Sequence, residues 1–161
     1  MVSLCGLAHL DFNLAAAHGY EQYLATVDAL ALGGDARRQA FRRIVFNMAA
    51  VNRDDHTKNL AFCCDRDGTW SLAPAYDLTF AHNPNGPWTA RHQMTVGGKA
   101  DGVGRADLEA LGDRFEVGGY RAIIDEVLDT VARWDDYAER AGVSDERRAA
   151  IAEVQRRFSP R

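Results

Sequence analysis

Asn52-Arg53-Asp54-Asp55-His56-Thr57-Lys58-Asn59 breaks the apolar period of the residues before it, and Pro74-Ala75-Tyr76-Asp77-Leu78 follows a short hairpin pattern downstream. A polar run of this kind ends a helix and begins a loop. Leu60 to Cys64 is then a short apolar run of strand type. Asp65-Arg66-Asp67-Gly68 has turn composition, and Thr69 to Ala73 reads as the returning strand. Pro74 ends that strand because proline has no N–H to give a ladder. The predicted order is helix, loop, hairpin, Asp77. A hairpin brings its ends together, so Asn59 and Asp77 are expected to converge despite their separation in sequence.

The chemistry carried by this order is specific. Asp54 and Asn59 stand as Asp-x-x-x-x-Asn, and Asp77 arrives beyond the hairpin. Phosphoryl transfer from ATP needs a carboxylate to accept the acceptor hydroxyl's proton. It also needs an Asn oxygen and a second carboxylate to hold magnesium on the phosphates. Mg²⁺ is a hard ion, takes oxygen ligands and is usually held by one or two carboxylates. Each residue also has a plainer reading. Asp is common in turns, so Asp54 or Asp55 could simply shape a loop, and Asp77 could cap the turn after Pro74. Asp55 reads as a bystander, because only Asp54 has the five-residue offset to Asn59. His56 taken alone reads equally well as a packed histidine.

Upstream, Tyr20, Tyr23, Leu24 and Val27 repeat at helical spacing, and Gly33-Gly34 reads as a stop signal. A second helix is expected from Asp35 as N-cap, with Phe41, Ile44, Val45 and Met48 on one face. Arg37, Arg38, Arg42 and Arg43 lie largely off that stripe and read as a solvated face. Met1 to Ala17 shows no period and reads as irregular strand or loop. Downstream, Ala81 to Asp101 is rich in Gly, Pro, Asn and His and reads as a long ordered loop beside the site. Leu108 and Leu111 mark a further helix, with Phe115 near its end. Tyr120 through Trp134 forms a strong stripe, and Ser144 reads as the N-cap of a last helix carrying Ile151, Val154 and Phe158.

At 161 residues the chain fits one domain with a real core. A 47% hydrophobic and 26% charged content is that of a soluble globular protein. The net charge of -4 argues against direct nucleic-acid binding through bulk electrostatics. No apolar run reaches membrane-spanning length, and the N-terminus lacks the basic and apolar regions of a signal peptide. Cys5, Cys63 and Cys64 are odd in number and two are adjacent, which reads as reduced thiols in the cytoplasm. A zinc site is not expected without His or Cys at ligand spacing near them.

The segments Phe46-Asn47 through Asn59, Ala73 through Leu78 and His92-Gln93-Met94-Thr95 resemble the HipA family, as does Gly6-Leu7-Ala8-His9-Leu10-Asp11-Phe12. These are bacterial serine/threonine kinases best known as toxins of type II toxin–antitoxin pairs. The resemblance runs from about Leu4 into the C-terminal helices. It implies a mostly α domain with a small β-hairpin (α+β), the C-terminal helical lobe of a protein-kinase-like fold. That lobe would span 1–161, with the catalytic loop at 52–59 and C-terminal helices over 104–158. It further implies Asp54 as catalytic base, Asn59 and Asp77 as magnesium ligands, and His56, Thr57, Lys58, Asn59, Tyr76 and Asp77 as the nucleotide-binding set. ATP and Mg²⁺ are the implied cofactors, and Lys58 would offset charge on the transferred group. The implied partners are a protein substrate and a HipB-like DNA-binding antitoxin.

The family also carries an N-terminal lobe with a Gly-rich loop and a phosphate-pairing Lys. Gly33-Gly34 closes a helix, and Gly97-Gly98-Lys99 follows the metal Asp, in the wrong order and without P-loop spacing. The chain is therefore expected to be the C-terminal lobe alone: a gene fragment, or half of a split enzyme with a separate N-terminal lobe subunit. Met1 is then a true start or an internal Met of a longer frame. Three function classes stay open: a protein kinase or its catalytic half, an inactive kinase lobe that binds an antitoxin or partner subunit, and a small-molecule or lipid kinase.

Overall fold

A computed structural model describes residues 1–160. The chain runs β1 (Val2–Ser3), α1 (Leu4–Leu7), β2 (His18–Gly19), α2 (Tyr20–Ala29), α3 (Gly33–Ala49), β3 (Ala61–Cys64), β4 (Trp70–Leu72), β5 (Met94–Thr95), α4 (Arg105–Arg114), α5 (Tyr120–Ala132), α6 (Trp134–Arg140) and α7 (Asp145–Phe158). It is a mostly helical α+β arrangement.

Helix α3 is the organising element. Ala40, Phe41, Ile44, Val45 and Met48 recur at spacings of three and four, so they form one apolar stripe that is fully or almost fully buried. Against it pack α2, through Tyr20, Tyr23, Leu24 and Val27, and α5, through Tyr120, Ile123, Ile124 and Val127. Phe41 and Tyr120 meet edge to face with centroids 6.4 Å apart, and Tyr23 tilts against Phe62 of β3 at 5.8 Å. The α3 arginines flank the core: Arg37 pairs with Asp28 and Arg42 with Glu126.

The hairpin forms as its composition predicts. Phe62 pairs with Leu72 and Cys64 with Trp70. At its tip the Asp65 carboxylate accepts the N–H groups of Asp67 and Thr69, and Gly68 takes φ +84°, where a side chain would be strained. The sheet is larger than a hairpin, however. β1 pairs antiparallel with β3, giving the order β1-β3-β4. A second sheet joins β2 and β5 in parallel, His18 opposite Met94 and Gly19 opposite Thr95.

Four local expectations need correction. Met1 to Ala17 holds β1 and α1, and 81–101 is no continuous loop, since it contains β5 and a buried run from His92 to Val96. Two-residue strands are too short to display a period. Helix α3 begins at Gly33 with Leu32 as its N-cap, so Asp35 lies in the first turn. Gly33-Gly34 thus opens a helix rather than closing one. The Tyr120 stripe ends at Ala132, and Trp134 starts α6, its indole N–H donating to the Arg148 carbonyl of α7 at 3.1 Å. Ser144 does occupy the α7 N-cap with extended backbone, although its hydroxyl makes no capping bond.

Candidate functional site

Helix α3 stops at Ala49, and Val51 takes φ +57°, which turns the chain out of the helix into the loop. The Asn52 N–H still reaches back to the Asn47 carbonyl at 2.9 Å. Arg53 then donates to the Ala81 carbonyl at 3.0 Å, and Ala81 donates to Val51 at 3.1 Å. This parallel bridge welds the start of the loop to the segment just beyond Asp77. The residue before Asp77 is fastened as well: the Tyr76 hydroxyl donates to the Lys58 carbonyl. Asn52 Nδ2 donates to the Asp77 carbonyl at 2.9 Å. The Pro74–Leu78 segment is thereby held at both ends of the Asn52–Asn59 loop, by Tyr76 at Lys58 and by Asn52 at Asp77.

The side chains differ in what they are left free to do. Asp54 is half-exposed, and the imidazole of His56 stands 3.7 Å away through Nε2, beyond hydrogen-bond length. Asn59 Nδ2 donates to the Asp54 carbonyl at 2.9 Å, and its amide oxygen has no hydrogen bond among the described residues. Asp77 is exposed at φ +52°, and its carboxylate has no ion pair or hydrogen bond among the described residues. Lys58 is exposed, with its ammonium over the Phe12 ring at 3.9 Å. Burial, and then the nearby Asp77 charge, push the Tyr76 phenol above its ordinary pKa, so it stays a proton donor to Lys58. Thr57 alone of the predicted set is buried, at 2% exposure. Beside Asp54 lies a cavity of about 540 Å³ whose lining includes Phe12, His56, Lys58, Trp88 and Gln93.

Asp55 is not a bystander. At 1% exposure it is a buried hub: one carboxylate oxygen accepts the Tyr20 hydroxyl at 2.8 Å and contacts His92 Nδ1 at 2.9 Å. The other accepts the Gln93 N–H at 2.7 Å. The offset to Asn59 identified Asp54 but said nothing of its neighbour, whose partners lie 35 to 38 residues away. A signal was present at Asn47, a carboxamide set among Ile44, Val45 and Met48 on the buried face of α3. Its Nδ2 donates to the Tyr20 oxygen at 2.9 Å. A polar residue on an apolar stripe implies a buried partner.

The donor set suits a hard divalent ion. Asn59 Oδ1 and the Asp77 carboxylate are oxygen donors without partners among the described residues. Among the described residues no three His, Cys, Asp or Glu side chains cluster to form a complete cage. That pattern fits magnesium, which keeps several waters and takes further ligands from phosphates. Of six buried side-chain polar atoms without a partner among the described residues, four belong to the loop: Asn52 Oδ1, Arg53 Nε, His56 Nδ1 and Thr57 Oγ1. Unsatisfied buried groups are rare in native proteins and concentrate where a ligand, an ion or catalysis needs them.

No curated protein matches the chain. A family model, HipA-like C-terminal domain, matches residues 1–158, which span the loop, the hairpin, Asp77 and all the helices, and the chain belongs to that family.

Proposed function

We propose that this chain is the catalytic C-terminal lobe of an ATP- and Mg²⁺-dependent protein serine/threonine kinase of the HipA toxin type, with the lobe adopting a protein-kinase-like arrangement. One observation carries the reading: Tyr76 and Asn52 fasten the Asp77 segment to both ends of the Asn52–Asn59 loop, with the oxygens of Asn59 and Asp77 unpaired among the described residues. Asn59 and Asp77 would hold Mg²⁺, which supplies charge neutralisation on the phosphates. Asp54 takes the proton of a Ser or Thr hydroxyl as that oxygen bonds to the γ-phosphorus of ATP and the bond to ADP breaks. Lys58, an exposed point charge, offsets negative charge on the transferred group. His56, Thr57 and Tyr76 shape the nucleotide side of the loop. The setting is cytoplasmic. A HipB-like DNA-binding antitoxin and a Gly-rich N-terminal lobe, on the same polypeptide or a separate subunit, complete the system.

The test is Mg²⁺-dependent ATP binding by calorimetry on this chain beside Asp77→Asn. These 161 residues carry no Gly-rich phosphate cover, so phosphate contacts remain in water, where charges interact weakly. The expected Kd is about 1 mM or weaker, near -4 kcal/mol. Magnesium-dependent binding lost in Asp77→Asn supports the reading. ATP binding indifferent to magnesium, or unchanged in Asp77→Asn, overturns it. Micromolar affinity would overturn the account of an open site.

A further inference from the structure

The buried polar groups behind the loop form one directed chain. Asn52 Nδ2 donates to two acceptors, the Asp77 carbonyl at 2.9 Å and Asn47 Oδ1 at 3.0 Å. Asn47 Nδ2 donates to the Tyr20 oxygen at 2.9 Å, and the Tyr20 hydroxyl donates to Asp55 at 2.8 Å. Tyr20, Asn47, Asn52 and Asp55 are all 3% exposed or less.

Polarity runs one way along these groups. The single Tyr20 proton is given to Asp55, which leaves the Tyr20 oxygen to accept. Asn47 must then present Nδ2 to Tyr20 and Oδ1 to Asn52. Asn52 must in turn present its NH₂, and the same NH₂ meets the Asp77 carbonyl. One consequence is visible. Asn52 Oδ1 is buried with no partner, a costly orientation that the two donations of Nδ2 enforce.

The far end of this chain bears on a strained residue. Asp77 sits at φ +52°, a left-handed conformation that a non-glycine residue keeps only where its surroundings over-determine it. We infer that Asn52 is a positioning residue for Asp77, and that the Asp55–Tyr20–Asn47 relay orients Asn52 so that the Asp77 carboxylate stays aimed with the loop that bears Asp54 and Asn59. The inference rests on the reading of Asp77 as a metal ligand. Without the Asn52 donor, Asp77 relaxes out of the left-handed region and its carboxylate swings away. Helix α2, through Tyr20, thus controls a ligand it does not contact.

The experiment compares wild type, Asn52→Leu, Tyr20→Phe and Gly112→Ala. Two quantities are read: backbone NMR shifts of Asp77, which report φ, and the Mg²⁺ concentration for half-maximal ATP binding. Gly112→Ala is the control for general destabilisation, since a Cβ there meets Tyr120 at 2.6 Å, in α4 and away from the relay. Asn52→Leu and Tyr20→Phe should each move Asp77 out of its left-handed φ and raise the Mg²⁺ requirement tenfold or more. Gly112→Ala should do neither. Tyr20→Phe loses only a hydroxyl and keeps the test open if Asn52→Leu does not fold. Asp77 holding its φ in either relay variant would overturn the proposal, as would a Mg²⁺ requirement that moves no further than in Gly112→Ala. ATP binding that ignores Mg²⁺ in the wild type would sink the underlying reading and this proposal with it. That result is seen before any variant is made, so the two failures are distinguishable.

Discussion

In the C-terminal half, from Lys99 through α7, charged side chains satisfy one another. Arg105 reaches both Glu109 and Asp125, Arg148 reaches Asp135, Glu139 and Asp145, and Lys99 meets Asp107. The loop from Asn52 to Asn59 is built differently. Asp54 has no partner within hydrogen-bond distance, and four of the six orphaned buried polar atoms lie there. Surface ion pairs each contribute about 0–1 kcal/mol, so the helical half gains a little from many small terms. The loop has one such pair, Arg53 with Asp101 at 2.7 Å, and Asp54 has none within hydrogen-bond distance. The loop is held from behind, by Asp55, Asn52 and the bridge to Ala81. The anchoring contacts of the loop and its half-exposed Asp54 therefore lie on opposite faces of the same few residues.

Adjacent carboxylates give the sharpest way to break this contrast. Asp54→Asn should lower phosphoryl transfer by about 10²- to 10⁴-fold, the range for losing a general base. It should leave stability within about 0.5 kcal/mol, because the carboxylate has no partner to lose. A kinase assay with the N-terminal lobe supplied, beside a denaturant melt, reads both. Asp55→Ala should do the reverse in the melt. It strands the Tyr20 hydroxyl, His92 and the Gln93 N–H in the interior, at a cost of about 3 kcal/mol. Equal melts for the two variants would collapse the distinction between the faces.

A smaller effect tests the helical half. Glycine in an exposed helix interior is about 1 kcal/mol less favourable than alanine. At Gly112 in α4, however, an added Cβ would lie 2.6–2.8 Å from Tyr120 side-chain atoms. Gly112→Ala should therefore destabilise the chain by about 1–3 kcal/mol; a gain in thermal stability would show that α4 and α5 separate easily.

The smallest effect is one of pH. The Lys99 ammonium, and then the Gly104 N–H, hold the Asp107 carboxyl below the usual carboxylate range. A depressed folded-state pKa stabilises the fold above the unfolded pKa of about 4, and that contribution is lost as pH falls through the lower folded value. Melting temperatures of wild type and Asp107→Asn should thus differ at pH 7 and converge toward pH 3. A constant gap would remove Asp107 from the ledger of surface pairs.

Long periodic segments were legible in the chain alone. The stripes of α2, α3 and α5 repeat over several turns, and Asp65 to Gly68 carries its own turn chemistry. What escaped was short or distant. β1, β2 and β5 are two residues each, below the length at which alternation can be seen. At the break between α5 and α6, Trp134 meets the Arg148 carbonyl, a contact across fourteen residues that no local pattern signals. Asp55 escaped because the offset to Asn59 singled out Asp54, while the partners of Asp55 lie 35 to 38 residues away.

Sequence by itself determined the order of helix, loop, hairpin and Asp77, and which oxygens that order makes available, because local periodicity, turn composition and residue chemistry are written in neighbouring positions. Only the tertiary structure decided which of two adjacent aspartates faces outward and which is buried. It also decided that Asp77 adopts a left-handed backbone held by Asn52. Those outcomes depend on where Tyr20, Asn47, His92 and Gln93 arrive in space. Burial makes an unpaired polar group so costly that the fold, rather than the local chain, chooses its partners.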